Sequence, residues 1–139
     1  MKYLVDTSIV AEVRKGARAD KGVAKWWASV RDDRIYLSVL ALADIRRSIE
    51  RMRPRDAERA SALEWWLFKL LAASDDRVLP IDRRAAEAWG RVSAVRSVGM
   101  REGLVFATAR AHRMVLVSRT ANSFAGLGIE VFDPFSDAR

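Results

Sequence analysis

Short apolar runs alternate along this chain with longer segments in which apolar residues recur every three or four positions. Residues 3–5 and 35–39 are compact runs of aliphatic, aromatic and β-branched side chains, a pattern typical of buried strands. After the second run, Leu42, Ile45 and Ile49 fall on one face of a helix. Each run therefore predicts a strand that leads directly into a helix.

The same periodicities assign the rest of the chain. Two short helices fit the stretch between the first two strands, and Pro54 separates the arms of a helical hairpin. The remaining segments are a helix at 56–73, an edge strand or extended connector at 78–81, helices at 83–97 and 101–113, and strands at 114–118 and 129–132. This alternation predicts one α/β domain over residues 1–139, with a mainly parallel central sheet flanked by helices.

Composition narrows the chemistry. Half of the residues are hydrophobic, 31% are charged and 3 are proline, which excludes disordered and collagen-like chains. The lack of cysteine excludes disulfide frameworks, zinc-thiolate sites and thiol nucleophiles. No apolar run approaches the roughly 20 residues of a membrane span. The amino terminus also lacks a secretory pattern, so we expect a soluble cytoplasmic protein.

The charge balance points toward polyanions. The chain has 25 Lys and Arg residues against 18 Asp and Glu, a formal net charge of +7, and most of the 25 are arginine. Arginine presents a planar fork that matches phosphate, and a basic surface raises the local concentration of nucleic acid. Ordinary arginine-rich helix surfaces explain the same count, so charge motivates a nucleic-acid hypothesis without deciding it.

Three acidic residues lie where α/β sheets usually bind ligands. Asp6 directly follows the first strand, Asp44 lies in the opening turns of the helix after the second strand, and Glu102 opens the helix before 114–118. Because ligands bind beyond the carboxyl ends of parallel strands, these carboxylates are candidate metal ligands. The alternatives are a helix cap for Asp6 and stabilisation of a helix dipole for Asp44 and Glu102.

Two hydroxyls and the single histidine complete the polar candidates. Thr120 and Ser123 follow the strand at 114–118, where they either hold metal-bound water or belong to an ordinary loop. His112 lacks the second group that metal-free acid–base cleavage of RNA requires. The chain has no glycine-rich phosphate loop and no G-x-S-x-G elbow, so nucleotide hydrolysis and serine esterase chemistry have no support.

Five segments in order carry a resemblance to a known family: LVDTS, IYLSVLALADIRRSIE, RVLPIDRRAAEAWGRV, ATARAH and SRTANSFAGLGIEVFDPF. The chain resembles the PIN-domain family, and specifically the VapC-type toxins of toxin–antitoxin pairs. The resemblance implies a PIN-like three-layer fold and an endoribonuclease that depends on Mg²⁺ or Mn²⁺ and often cuts tRNA. It also implies a VapB-type antitoxin that holds the enzyme inactive.

The resemblance assigns a catalytic and metal-binding set. The first three acids of the family fall on Asp6, Asp44 and Glu102, which would hold the cation that activates water. Asp44 stands where the family has glutamate, and Glu102 stands where it has aspartate. Ser123 stands where the family has its fourth acid, and Thr120 and Ser8 stand where it has asparagines. These three residues are possible supporting residues of the site.

Four arginines flank the proposed crevice and are candidate contacts to the RNA backbone: Arg46, Arg47, Arg101 and Arg119. Each has the alternative role of a solvated surface residue. Because several site positions are substituted, a second hypothesis is a degenerate PIN domain that binds RNA or an antitoxin without cutting.

Adjacent aromatic residues exceed what one buried helix face needs. They are Trp26 with Trp27, and Trp65 with Trp66 and Phe68. Neighbouring side chains on a helix point about 100° apart, so both members of a pair cannot share one face. The alternatives are a small core that wraps helices on two sides, or the antitoxin groove and homodimer face that the resemblance implies.

Overall fold

The computed structural model describes residues 1–136. Its strands are β1 (Tyr3–Val5), β2 (Ile35–Ser38), β3 (Val78–Leu79), β4 (Val115–Val117) and β5 (Val131–Phe132). Its α-helices are α1 (Thr7–Val13), α2 (Lys21–Ser29), α3 (Val39–Met52), α4 (Ala57–Ser74), α5 (Arg83–Val95) and α6 (Met100–Ala111). Within residues 1–136, no helix combines the length and hydropathy that a bilayer crossing needs.

The strands form one sheet in the order β3-β2-β1-β4-β5, and each neighbouring pair is parallel. The chain builds from β1 outward to β2 and β3, then crosses back to place β4 on the other side of β1. This change of direction opens a crevice beyond the carboxyl ends of β1 and β4. The predicted parallel sheet is confirmed, and its switch point lies directly after Val5 and Val117.

Alternate side chains of the central strands enter two separate cores. Val5 and Val117 pack with residues of α1 to α4 on one face of the sheet. Leu4 and Leu116 pack with residues of α5 and α6 on the other face. Successive residues of a strand point to opposite faces, so two cores and one sheet make three layers. The predicted three-layer fold is therefore confirmed.

Several element ends differ from the sequence prediction by one or two residues, and two of these differences have a clear local reason. The second strand stops at Ser38 because that hydroxyl accepts a 3.0 Å hydrogen bond from the Leu40 amide and caps α3. The sixth helix stops at Ala111 because Arg113 adopts a left-handed conformation with φ 55°. The reversal lets the chain enter β4 directly.

The start of α6 differs from the starts of the other α-helices. A side-chain oxygen caps the first turn of α1 to α5. No side chain caps α6, which follows Gly99 and carries Glu102 in its first turn. The first turn of α6 lies beside the crevice at the switch point, so its side chains can enter the crevice.

The aromatic residues divide between the two predicted roles. Trp26 and Trp27 are half-buried, and Trp26 packs against the rings of Tyr3 and Phe132. On α4, however, Trp65 and Phe68 are 59% and 61% exposed and stack on each other with ring centroids 5.4 Å apart. The α2 pair therefore belongs to the core, and α4 presents an apolar surface to solvent.

Candidate active site

Asp6 directly follows β1 and is held at the switch point by contacts with β4 and α1. Its backbone amide donates a 3.0 Å hydrogen bond to the carbonyl of Val117. Its carboxylate accepts hydrogen bonds from the amide of Thr7 (2.8 Å) and the hydroxyl of Ser118 (3.2 Å). The helix-cap role weighed for Asp6 is observed, and the same buried carboxylate faces the crevice.

Asp44 reaches the same crevice from the second turn of α3. The hydroxyl of Thr7 donates a 2.7 Å hydrogen bond to Asp44 Oδ2. On the solvent side, Arg47 pairs with the other carboxylate oxygen. Thr7 therefore joins the two acids, although the sequence nominates neither it nor Ser118. The available sequence signal for both residues is a hydroxyl side chain just after a central strand, β1 for Thr7 and β4 for Ser118.

Arg101 is the residue of α6 that enters between the acids. Its Nη2 lies 3.1 Å from Asp6 Oδ1 and 2.7 Å from Thr7 Oγ1. Its Nε lies 2.9 Å from Asp44 Oδ2, an oxygen that Nη2 also contacts. The guanidinium therefore binds both carboxylates at once, and the site holds an ion-pair cluster of two acids and one arginine.

Glu102 lies only at the edge of this cluster, where its Oε1 is 3.7 Å from Arg101 Nη1. Its side chain is 43% exposed and folds over Gly99, where a Cβ would lie only 2.8 Å from Glu102 Oε2. It lines a small cleft together with Thr120 and Ser123. Within residues 1–136, no three acidic or histidine side chains are grouped as a metal site. In this arrangement the predicted ligands do not fit a divalent cation, because Arg101 binds one carboxylate oxygen of Asp6 and one of Asp44.

The charges of the cluster support one another. Burial acts to raise the pKa of Asp44, but hydrogen bonds from Arg101 and Thr7 outweigh it and hold that pKa below its ordinary value. Burial likewise acts to lower the pKa of Arg101, and its bonds to Asp44 and Asp6 raise it instead. Asp44 and Arg101 are therefore both charged at neutral pH.

The possible supporting residues lie around the mouth of the crevice. Ser8 Oγ accepts a 3.2 Å hydrogen bond from the amide of Arg119. Thr120 Oγ1 lies 3.1 Å from the hydroxyl of Ser118, which itself contacts Asp6. The backbone carbonyl of Ser123 accepts a 2.9 Å hydrogen bond from Arg96. Thr120 thus reaches the acids through Ser118, while Ser8 and Ser123 have structural contacts.

The other arginines proposed for RNA contact differ in their surroundings. Arg46 pairs with Glu50 and Glu64, which joins α3 to α4. The guanidinium of Arg119 lies over the ring of Phe135, 4.1 Å from its centre. Of the four arginines, Arg47 and Arg101 contact the acids of the crevice directly.

His112 belongs to the opposite end of α6. It follows the last residue of that helix, about 16 Å along the axis from Arg101 at ~1.5 Å per residue. Its Nε2 is buried 3.6 Å from Asp82. The histidine therefore has no part in the crevice.

Known proteins share this arrangement of elements. A VapC ribonuclease of Sinorhizobium fredii, Y4jK, is 26% identical over 97% of this chain and 99% of its own length. The crystal structure of FitAcB from Neisseria gonorrhoeae has a TM-score of 0.86 and 22% identity, over 95% of this chain and 97% of that one. A toxin–antitoxin complex from Klebsiella pneumoniae has a TM-score of 0.66 and 18% identity, over 96% and 98%.

The structural likenesses establish the fold, and the sequence comparison establishes the family. The model of the PIN domain matches residues 3–125, which include β1 to β4, all six α-helices and every residue of the ion-pair cluster. This chain belongs to the PIN domain family.

Proposed function

We propose that this chain is the toxin of a VapBC-type toxin–antitoxin pair and acts as an endoribonuclease. Family membership supports a nuclease, and the relative from Sinorhizobium fredii is named a VapC ribonuclease. The observation that carries the proposal is the convergence of Asp6 and Asp44 at the switch point of a parallel sheet, where such folds bind ligands.

The basic rim suits an RNA substrate. We propose that phosphates are contacted by Arg47, which pairs with Asp44 on the solvent side, and by Arg119, whose backbone amide bonds to Ser8 at the mouth of the crevice. Hydrolysis adds water across one P–O bond, and the proposed products carry a 5′-phosphate and a 3′-hydroxyl. Dependence on Mg²⁺ or Mn²⁺ is a separate part of the proposal, which the experiment tests by varying the metal. The described side chains, as arranged, do not form a site for either ion.

A specific observation favours a second function. Arg101 forms ion pairs with both Asp6 and Asp44, and Glu102 folds toward Gly99 with one oxygen 3.7 Å from Arg101. Such a site suits a degenerate PIN domain that binds RNA, or its antitoxin, without cutting. This candidate retains the basic rim but not the hydrolysis.

One experiment separates the two functions. Purified protein is incubated with total tRNA in the presence of EDTA, Mg²⁺ or Mn²⁺, and the RNA is separated on a denaturing gel. The ribonuclease proposal expects discrete metal-dependent fragments that disappear in Asp6→Asn. The matched control is Asp82→Asn, because Asp82 also caps a helix but lies at the other end of α6.

The negative outcome is equally specific. RNA that shifts on a native gel but stays intact under every metal condition removes the ribonuclease and leaves the binding domain. Loss of cleavage in both Asp6→Asn and Asp82→Asn would show that folding, and not the crevice, is responsible.

The proposal includes an antitoxin and a second copy of this chain as partners. A VapB-type antitoxin should form a stable complex with the purified protein and suppress cleavage. Sedimentation of the chain alone, and then with the antitoxin, measures both associations. A monomer that cleaves RNA equally well with the antitoxin present would contradict this part of the proposal.

A further inference from the structure

The cation between the two acids stands at an unfavourable position of its own helix. Arg101 lies in the first turn of α6, where the helix dipole favours anions over cations. Its long side chain leaves that helix start and turns toward β1 and α3. The carboxylates of Asp6 and Asp44 supply the negative charge that compensates for its position.

The contacts of Arg101 are those of a bound cation. Its guanidinium reaches Asp6, Thr7 and Asp44 through Nε and Nη2, and its side chain is 29% exposed. Charge-assisted hydrogen bonds of this kind are among the strongest that a side chain makes. The two carboxylates are thus held together by a group that belongs to the chain itself.

A divalent cation would need the same oxygens. Mg²⁺ binds carboxylate oxygens at about 2.0–2.1 Å in a nearly octahedral shell. An ion held by Asp6 and Asp44 would compete with Arg101 Nη2, which already contacts one oxygen of each acid, and two cations in that space repel each other. Arginine and metal are therefore alternatives at this site.

We propose that Arg101 is a built-in counter-cation that excludes divalent metal from the acidic pair until it withdraws. The inference deepens the proposed ribonuclease, because it makes the position of Arg101 the control point of that site. Only the effect on cleavage rests on the proposed function. The competition for Asp6 and Asp44 rests on the contacts of Arg101 and is measured without RNA.

The test uses Mn²⁺ alone as the probe and the full chain. Free Mn²⁺ is followed by electron paramagnetic resonance as it is titrated into wild type, Arg101→Gln and Arg47→Gln. We expect Arg101→Gln to bind Mn²⁺ at least tenfold more tightly than wild type. Arg47→Gln removes the same charge from the same acid, but Arg47 approaches from the solvent side and is 57% exposed. Its gain should stay below threefold.

Thermal unfolding supplies a second readout. Without metal, Arg101→Gln removes the cation that bridges the two carboxylates and leaves only Arg47 beside Asp44, so it should melt below wild type. Mn²⁺ should raise its melting temperature by several degrees and that of wild type much less, because a ligand stabilises the folded state that binds it. If Arg101→Gln fails to fold, Arg101→Lys keeps the charge without the fork and should bind Mn²⁺ at least threefold more tightly.

The outcomes separate this inference from the proposed function. Equal Mn²⁺ affinity in wild type and Arg101→Gln, equal gains in Arg101→Gln and Arg47→Gln, or no binding by any variant would overturn the inference. Tighter Mn²⁺ binding by Arg101→Gln, together with RNA that neither wild type nor Arg101→Gln cleaves, would support the inference and refute the ribonuclease. Cleavage by wild type with unchanged metal affinity in Arg101→Gln would do the opposite.

Discussion

The hydroxyl of Thr7 donates a 2.7 Å hydrogen bond to Asp44, a residue 37 positions away. The same oxygen accepts a 2.7 Å hydrogen bond from Arg101. Thr7 begins α1, Asp44 lies on α3 and Arg101 on α6, so one hydroxyl connects three helices around the end of β1. The order of the site therefore depends on a neutral group as well as on its charges.

Replacing this hydroxyl tests its contribution to stability. Thr7→Val keeps the shape of the side chain but removes its hydrogen bonds with Asp44 and Arg101. A hydrogen bond to a charged group contributes about 1.5–3 kcal/mol, so we expect a loss of that order in the free energy of unfolding. Thr7→Ser should retain most of it. Urea denaturation provides the measurement, and equal midpoints for wild type and Thr7→Val would contradict the prediction.

Gly103 gives a second prediction, at the packing of α6 on α5. A Cβ at this position would lie 1.9 Å from Trp89 Cζ3, so the ring or the helix must move. Overpacking costs about 1–3 kcal/mol, and the displacement also shifts the turn that carries Arg101. We expect Gly103→Ala to lower the melting temperature, as followed by circular dichroism.

The matched control for Gly103 lies on the neighbouring helix. A Cβ at Gly90 would meet no atom within 4 Å. Alanine is favoured over glycine inside a helix by about 0.5–1 kcal/mol, so Gly90→Ala should raise the melting temperature slightly. The same change in both variants would show that helix propensity, and not contact with Trp89, sets the result.

Asp20 makes stability depend on pH at the start of α2. Its carboxylate accepts a 2.6 Å hydrogen bond from the Ser136 hydroxyl and caps the amide of Val23. These bonds, that of Ser136 first, lower the pKa of Asp20 from 3.8 to about 2. Because the folded pKa is depressed, the stabilisation is complete above pH ~4 and is lost as the pH falls toward about 2.

Ser136→Ala removes the largest cause of this shift. We expect wild type to be more stable than Ser136→Ala at pH 5–7, and the difference in unfolding free energy to shrink between pH 4 and pH 2. Urea titrations at four pH values within that range measure it. A difference that is the same at pH 2 and pH 7 would show that the hydroxyl does not act through the Asp20 carboxylate.

The elements of this fold are readable from sequence because their signals are local. Alternation and 3.6-residue periodicity depend on neighbours in the chain, and a residue such as Asp6 marks its own helix start. The two apolar faces of β1 follow from the same alternation, since Leu4 and Val5 enter different cores. The α/β class with its parallel sheet is confirmed for this reason, whereas the prediction of a three-layer arrangement comes from the family resemblance.

Which side chains enter the site is harder to predict, because the rotation of α6 about its axis decides which of two neighbouring residues faces the crevice. Arg101 and Glu102 differ by about 100° around α6. The resemblance selects the acid at 102, whereas the structure turns the longer arginine toward Asp6 and Asp44. The Thr7–Asp44 contact also joins residues 37 positions apart, which a single sequence does not reveal.

The exposed aromatic pair on α4 provides the last prediction. Trp65 and Phe68 lie on one face of the helix, stack at 5.4 Å and remain mostly exposed, whereas Trp66 packs against the core. Exposed side chains contribute little to folding, so we expect Trp65→Ala/Phe68→Ala to change the unfolding free energy by less than about 0.5 kcal/mol.

If this face forms the predicted homodimer, the double variant should weaken self-association at least tenfold in sedimentation experiments, because buried aromatic residues dominate interface energies. Trp66→Ala should instead destabilise the monomer by about 2 kcal/mol or more through lost packing. A wild-type chain that stays monomeric at every concentration, or a double variant that dimerises normally, would refute the assignment of this face.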